Sequence, residues 1–153
     1  SASYEKDRWW EYHIEEPFIK MLPTDMAGAI GVAQLDRIDE LQSRREDIWA
    51  QYTEAFSKNK SIKLPQKNKD KHSYFTYCIR TYSRNKLAKY LLDHGIYTTL
   101  RYQPLHFYSV YQNNTRLLNT EILSQDALNL PIHPRLTDEE VSKVIGTVRA
   151  FYD

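Results

Sequence analysis

Between Thr24 and Phe56 the apolar residues Leu35, Ile38, Leu41, Ile48, Trp49, Tyr52 and Phe56 recur at three- and four-residue steps. That spacing places them along one broad stripe, and no proline interrupts the run, so the pattern predicts one long amphipathic helix. Thr24 suits its N-cap, with Asp25 where the helix dipole favours a negative charge. Arg45 breaks the stripe. The opposite face carries Asp36, Arg37, Asp39, Glu40, Arg44, Glu46 and Asp47, with Glu40 and Arg44 at i,i+4, and reads as solvated. The first two turns differ in kind: Ala27, Gly28, Ala29 and Gly31 leave almost no side chain, and each glycine costs about 1 kcal/mol relative to alanine. A neighbour packed closely against that end is expected, within this chain or outside it.

Ahead of the helix, residues 1–23 hold Tyr4, Trp9, Trp10, Tyr12 and Phe18 without a helical or strand period, and read as an irregular aromatic leader lying on a surface. Behind it, Lys58 to Lys71 reads as a solvated lysine-rich loop or hairpin. His72 to Tyr82 (HSYFTYCIRTY) is rich in aromatic and β-favouring residues and predicts a strand. Arg84 to His94 predicts a short helix with Leu87, Tyr90 and Leu91 on one side and Gly95 as its stop. A second strand is expected over Ile96 to Tyr102, ended by Pro104, and another helix over Leu117 to Leu130. After the break PIHP, Thr137 and Glu140 form a capping box that opens a last helix through Val141, Val144, Ile145, Val148 and Phe151. The fold class is therefore α+β: a small antiparallel or mixed sheet with helices packed on it and one long helix near its start. The expected division is a leader over 1–23 and a small α+β domain over 24–153.

Composition narrows the function classes. The 153 residues carry a formal charge of +1, which supplies no field for nucleic acid or an anionic membrane. No apolar run approaches the roughly 18–20 residues needed to span a bilayer, and SASYEKDRWW has no signal-peptide core, so a cytoplasmic protein is expected. Twelve tyrosines and three tryptophans suit a domain with a partner surface. Cys78 stands alone, which rules out an intrachain disulfide or cysteine zinc cluster and favours a buried, inert thiol.

Catalytic motifs are missing in their familiar forms: there is no Gly-rich phosphate loop, HExxH or GxSxG, and the five histidines share no metal-ligand spacing. His106 in RYQPLHFYSVY and His133 in LPIHP lie in loops beside prolines, where functional residues concentrate. His133 reads better as a bonded plug in the turn between two helices. Residue chemistry alone reaches a soluble α+β domain with a missing partner surface.

The order of three segments goes further. YHIEEPFIKMLPTDMAGAIGVAQLDRIDELQSRREDIWAQY resembles a pattern of the DegT/DnrJ/StrS sugar aminotransferases, in which P-G-Y-K-Y-N-M-T-D-I-Q-A-A-I-G-L-x-Q-L opens a long helix ending in R-R-x-x-A-x-x-Y. HGIYTTLRYQPLHFYSVY is similar to that family's G-I-x-T-x-x-x-Y-x-P-L-H-x-x-P-x-Y, and SQDALNLPIHPRLTDEEVSKVI to its S-x-x-x-L-x-L-P-x-H-P-x-L-T-x-E-x-V. The three cover most of residues 12–151.

The resemblance implies the C-terminal part of a pyridoxal-phosphate enzyme of fold type I. The cofactor-linking lysine would belong to a large domain ahead of residue 1, no catalytic residue would lie in this chain, and the chain alone would be inactive. The implied parent is a homodimer that moves an amino group, with glutamate as donor, onto a keto-sugar nucleotide. Lys20 and Thr24 fall where family dimers approach the neighbouring subunit's cofactor phosphate, and an ammonium and a hydroxyl at a helix start suit that group. Leu22, Pro23 and Ala27 stand where the family has asparagine, methionine and glutamine. His106, on the histidine of P-L-H, and Tyr102 before it are implied at the substrate mouth; Ser109 replaces a usual proline and Tyr111 keeps the tyrosine. A sugar dehydratase of the same family, with histidine in place of the lysine, and a non-catalytic association domain are the alternatives.

Overall fold

A computed structural model describes residues 2–4, 12–14, 22–66, 72–99, 103–108, 111 and 115–153. Contacts divide the chain into two units, Ser1–Arg37 and Ile38–Asp153.

In the first unit, β1 (Ala2–Tyr4) pairs antiparallel with β2 (Tyr12–Ile14), with Ala2 opposite Ile14 and Tyr4 opposite Tyr12. The irregular leader expected over 1–23 thus holds two short strands. Helix α1 follows over Asp25–Leu35, and Thr24 caps it as predicted: its Oγ accepts the Ala27 N–H at 3.2 Å. The helical stretch expected over Thr24–Phe56 is interrupted at Asp36 and Arg37, where the Arg37 N–H bonds Gln34 O, three residues back, at 3.3 Å. Such tighter bonds close helix ends. The interruption falls where the pattern changes: α1 is apolar on every side, whereas the following helix is amphipathic. No residue of α1 is buried, and a Cβ built on Gly28 or Gly31 meets none of the described residues.

The second unit contains α2 (Ile38–Phe56), β3 (Tyr77–Arg80), α3 (Arg84–Asp93), the 3-10 turn η1 (Leu105–Phe107), α4 (Leu118–Asp126), β4 (Ala127–Leu130) and α5 (Asp138–Tyr152). Strands β3 and β4 pair antiparallel, Tyr77 opposite Leu130 and Arg80 opposite Ala127. Single bridges widen this sheet on both sides, Lys63 to Arg80 and Thr99 to Asn129. The core unites Ile48, Trp49, Tyr52 and Phe56 of α2 with Tyr77 and Ile79, Leu87 and Leu91, Leu128 and Leu130, and Val141, Val144 and Val148. The C-terminal half of the predicted stripe is therefore core, while Leu35 and Ile38 are exposed.

Aromatic rings fill the middle. Trp49 meets Tyr77 edge-on at 5.4 Å, and Tyr52 meets Tyr77 at 5.1 Å. Each phenol finds an oxygen: Tyr52 donates to Pro131 O at 2.8 Å, and Tyr77 lies 3.0 Å from Thr53 Oγ. Along β3 burial alternates, so Cys78 shares the half-buried face with Arg80 and is not the fully buried thiol expected.

Three element boundaries depart from the sequence reading. The strand expected from His72 is confined to Tyr77–Arg80, because Tyr74 takes φ +41°, left-handed backbone incompatible with an extended run. The helix expected to continue to Leu130 stops at Asp126, and Ala127–Leu130 becomes β4. Arg84, itself buried, donates to Gln125 O at 3.0 Å and Ser124 O at 2.8 Å, occupying carbonyls at that helix end. Of the second expected strand, the described part reaches the sheet at Thr99; residues 100–102 lie outside the described set. The α5 capping box is present, with Thr137 Oγ accepting from Glu140 N at 3.2 Å and Glu140 Oε2 from Thr137 N at 2.9 Å. Gly95 ends α3 at φ +75°.

Candidate functional site

Pro104 leads into η1, and the turn directs the His106 side chain inward, leaving 5% of it exposed. Its Nε2 lies 3.1 Å from Glu121 Oε1. An ionised carboxylate only accepts, so the hydrogen of this pair sits on the histidine. The same carboxylate takes a two-pronged contact from Arg116, with Nη2 at 2.7 Å and Nε at 3.0 Å, and the Leu117 N–H at 3.0 Å. Arg116, ahead of the other causes, holds the Glu121 carboxyl down at about 2, with His106 and the Leu117 amide adding to it against the cost of burial. Glu121, in the first turn of α4, thereby joins that helix start to the loop bearing His106.

Apolar side chains flank this polar knot along the chain. Leu105, Phe107, Tyr108 and Tyr111 are exposed beside it, as are Leu117, Leu118, Ile122 and Leu123. Phe107 packs against the His106 ring at 4.5 Å between centroids. Among the described residues the His106 Nδ1 has no partner.

Of the other residues singled out by sequence, Thr24 caps α1 in the first unit. Lys20 and Tyr102 lie outside the described residues. His133 accepts the Arg135 N–H on Nδ1 at 3.1 Å and its carbonyl accepts from Leu136 N, a role internal to its turn. Glu121 and Arg116 were not singled out; the available signal was an acid in the first turn of the helix after the P-L-H loop, five residues beyond an arginine. No group of metal-ligating side chains occurs among the described residues.

Residues 2–149 match the DegT/DnrJ/EryC1/StrS aminotransferase family. The chain belongs to that family. A dTDP-4-dehydro-2,3,6-trideoxy-D-glucose 4-aminotransferase of Saccharopolyspora spinosa is 34% identical over 142 residues, which cover 90% of this chain and 37% of that protein. The spore coat polysaccharide biosynthesis protein SpsC of Bacillus subtilis is 28% identical, covering 95% of this chain and 41% of its own. Among solved structures, the aminotransferase TlmJ from Streptoalloteichus hindustanus superposes with a TM-score of 0.87 at 34% identity, over 97% of this chain and 41% of that one. Spr1654 of Streptococcus pneumoniae, solved in a PLP form, gives 0.82 at 30% identity, over 92% and 38%. This DegT/DnrJ/EryC1/StrS chain thus spans about two fifths of the relatives it matches. Its α+β architecture is that of part of an aminotransferase.

Proposed function

We propose that this chain is the C-terminal part of a pyridoxal-phosphate-dependent aminotransferase that transfers an amino group, with glutamate as donor, to a keto-sugar nucleotide. The observation that carries the reading is α1, a helix apolar on every side yet exposed throughout among the described residues. A helix of that composition belongs in a protein interior or interface. The remaining three fifths of a family-length polypeptide, and a second subunit of a homodimer, would supply its cover. Membership of the family and the named aminotransferases among its relatives support the chemistry.

The described residues fit one edge of a cofactor site. Thr24 uses an oxygen lone pair on Ala27, which leaves its hydroxyl hydrogen for a phosphate oxygen, beside the N–H groups that open α1. Lys20 would add a cation there. When bound, the cofactor supplies the electron sink that amino transfer needs. At the substrate mouth, Tyr102 and the segment to Tyr111 would face the nucleotide sugar. His106, tied to Glu121, sets the position of Phe107 and Tyr108 on that rim.

The test is to incubate the complete protein with pyridoxal phosphate, nitrogen-15 glutamate and keto-sugar nucleotides, and to follow the label by mass spectrometry. Labelled amino sugar is the expected product. Loss of water from the sugar without nitrogen uptake would replace transfer by dehydration, and absence of both reactions would leave an association domain.

A further inference from the structure

Arg45 is the residue that breaks the stripe of α2, and it is half-buried without a hydrogen bond or ion pair to any described residue. It lines a cleft of about 270 Å³ together with Phe75, Tyr97, Thr99, Asn129 and His133. Among the described residues no acidic side chain lines that cleft, and none of them gives the guanidinium a counter-charge there. Guanidinium groups in such surroundings are suited to two-pronged binding of carboxylate.

The floor of the cleft is also unfinished. Asn129 is 7% exposed, its Oδ1 has no partner among the described residues, and its Nδ2 reaches Thr99 Oγ1 only at 3.5 Å. Buried amides are normally satisfied. The Cβ–Cγ torsion of asparagine is soft, so a group seated in the cleft can draw the amide towards it. The rings of Phe75 and Tyr97, 65% and 75% exposed, form apolar walls above. A volume below the roughly 300–1,000 Å³ of drug-sized pockets restricts the occupant to a small molecule.

We propose that this cleft binds a small carboxylic acid carrying a hydroxyl or amino group on the carbon next to the carboxylate. The carboxylate pairs with Arg45, the hydroxyl or amino hydrogen bonds Asn129 Oδ1, and the carbon skeleton lies against Phe75 and Tyr97. The assignment stands apart from amino transfer, because it uses neither the cofactor edge at Thr24 nor the knot at His106 and Glu121.

The experiment is a titration of the nitrogen-15-labelled chain with L-lactate and L-alanine, which differ in the donor. Propionate, which has the carboxylate alone, and inorganic phosphate serve as comparisons. Saturable shifts of the Arg45 Nε–H and the Asn129 side-chain amide are expected with at least one of the two acids, at about tenfold lower concentration than with propionate. The tighter of the pair identifies the donor. Arg45→Met keeps the long stem and should abolish the shifts; Tyr97→Ala, at an exposed ring, should weaken binding severalfold without affecting the fold. Equal binding of phosphate or propionate would mark an adventitious anion only and overturn the proposal. So would the absence of saturable shifts with both acids, or full affinity in Arg45→Met and Tyr97→Ala.

Discussion

His106 and Glu121 meet at 3.1 Å between Nε2 and Oε1, and through that contact the first turn of α4 fixes the loop that carries the P-L-H motif. The carboxylate that receives the imidazole also receives Arg116 and the Leu117 amide, so one side chain closes the connection from both ends. Its neighbours are exposed aromatic and aliphatic residues. A rigid polar anchor beneath an apolar rim is the arrangement expected of a loop that must present its rim to another molecule.

Acid should loosen this anchor in a defined window. Glu121 has a folded-state value of about 2, against an ordinary value of 4.5. A depressed carboxyl contributes stability above its unfolded value, and that contribution is lost as pH falls from about 4.5 towards 2. Thermal melts between pH 6 and pH 2 should show this loss, and Glu121→Gln should flatten it. In the same variant at pH 7 the Leu117 amide should exchange with solvent roughly tenfold faster. An unchanged exchange rate would remove Glu121 as the tie.

Tyr52 is buried and donates to Pro131 O at 2.8 Å. Tyr52→Phe keeps the ring but leaves that carbonyl without its donor, a loss of about 1–2 kcal/mol measured by urea unfolding. Burial pushes the Tyr52 phenol up, and the Tyr77 phenol up to about 12. Groups raised in the folded state stabilise it below their unfolded value near 10 and lose that effect as pH climbs through the folded one. Stability should therefore fall between pH 10 and 12, less steeply in Tyr52→Phe.

Glycine substitutions should have opposite signs at two places. Gly95 sits at φ +75°, where among the described residues a Cβ would meet only Lys143 Nζ at 3.7 Å, so Gly95→Ala is penalised by backbone conformation, at about 1–2 kcal/mol. Gly28→Ala and Gly31→Ala add a Cβ into open space among the described residues and should raise the helical content of α1 by circular dichroism, each favouring the helix by about 1 kcal/mol. Under the proposed homodimer, in which small residues admit a neighbour, the same two changes should weaken subunit association of the family-length protein. Ultracentrifugation separates the two results.

Core and rim leucines should differ sharply. Leu128 is buried in the sheet, and Leu128→Ala should cost about 2–5 kcal/mol. Leu118 is exposed on α4, and Leu118→Ala should stay within about 0.5 kcal/mol in this chain. Under the proposed function, the rim change should instead raise KM for the nucleotide sugar in an enzyme of family length, measured under steady-state conditions.

Much of the fold was legible because it is local. The capping box at Thr137 and Glu140, the glycine stop at Gly95 and the cap at Thr24 follow from backbone groups within a few residues of one another. The buried half of α2 followed from its period, whereas Leu35 and Ile38 obey the same period and are exposed. Periodicity states which face can be covered, not what covers it. Ala127–Leu130 reads as helix from the sequence for a related reason: four apolar-rich residues fit either element, and pairing with β3 decides between them.

Sequence by itself determined the family, through three ordered motifs, and with it the expectation of a P-L-H loop near a substrate mouth. Only the tertiary structure decided that His106 turns inward to Glu121, and that Arg45 and Asn129 share one cleft. These partners are 15 and 84 positions apart, and no rule of local spacing relates them; chain packing brings each pair together. Backbone chemistry is written in neighbours along the chain, but the charge and hydrogen bonding of a site depend on neighbours in space.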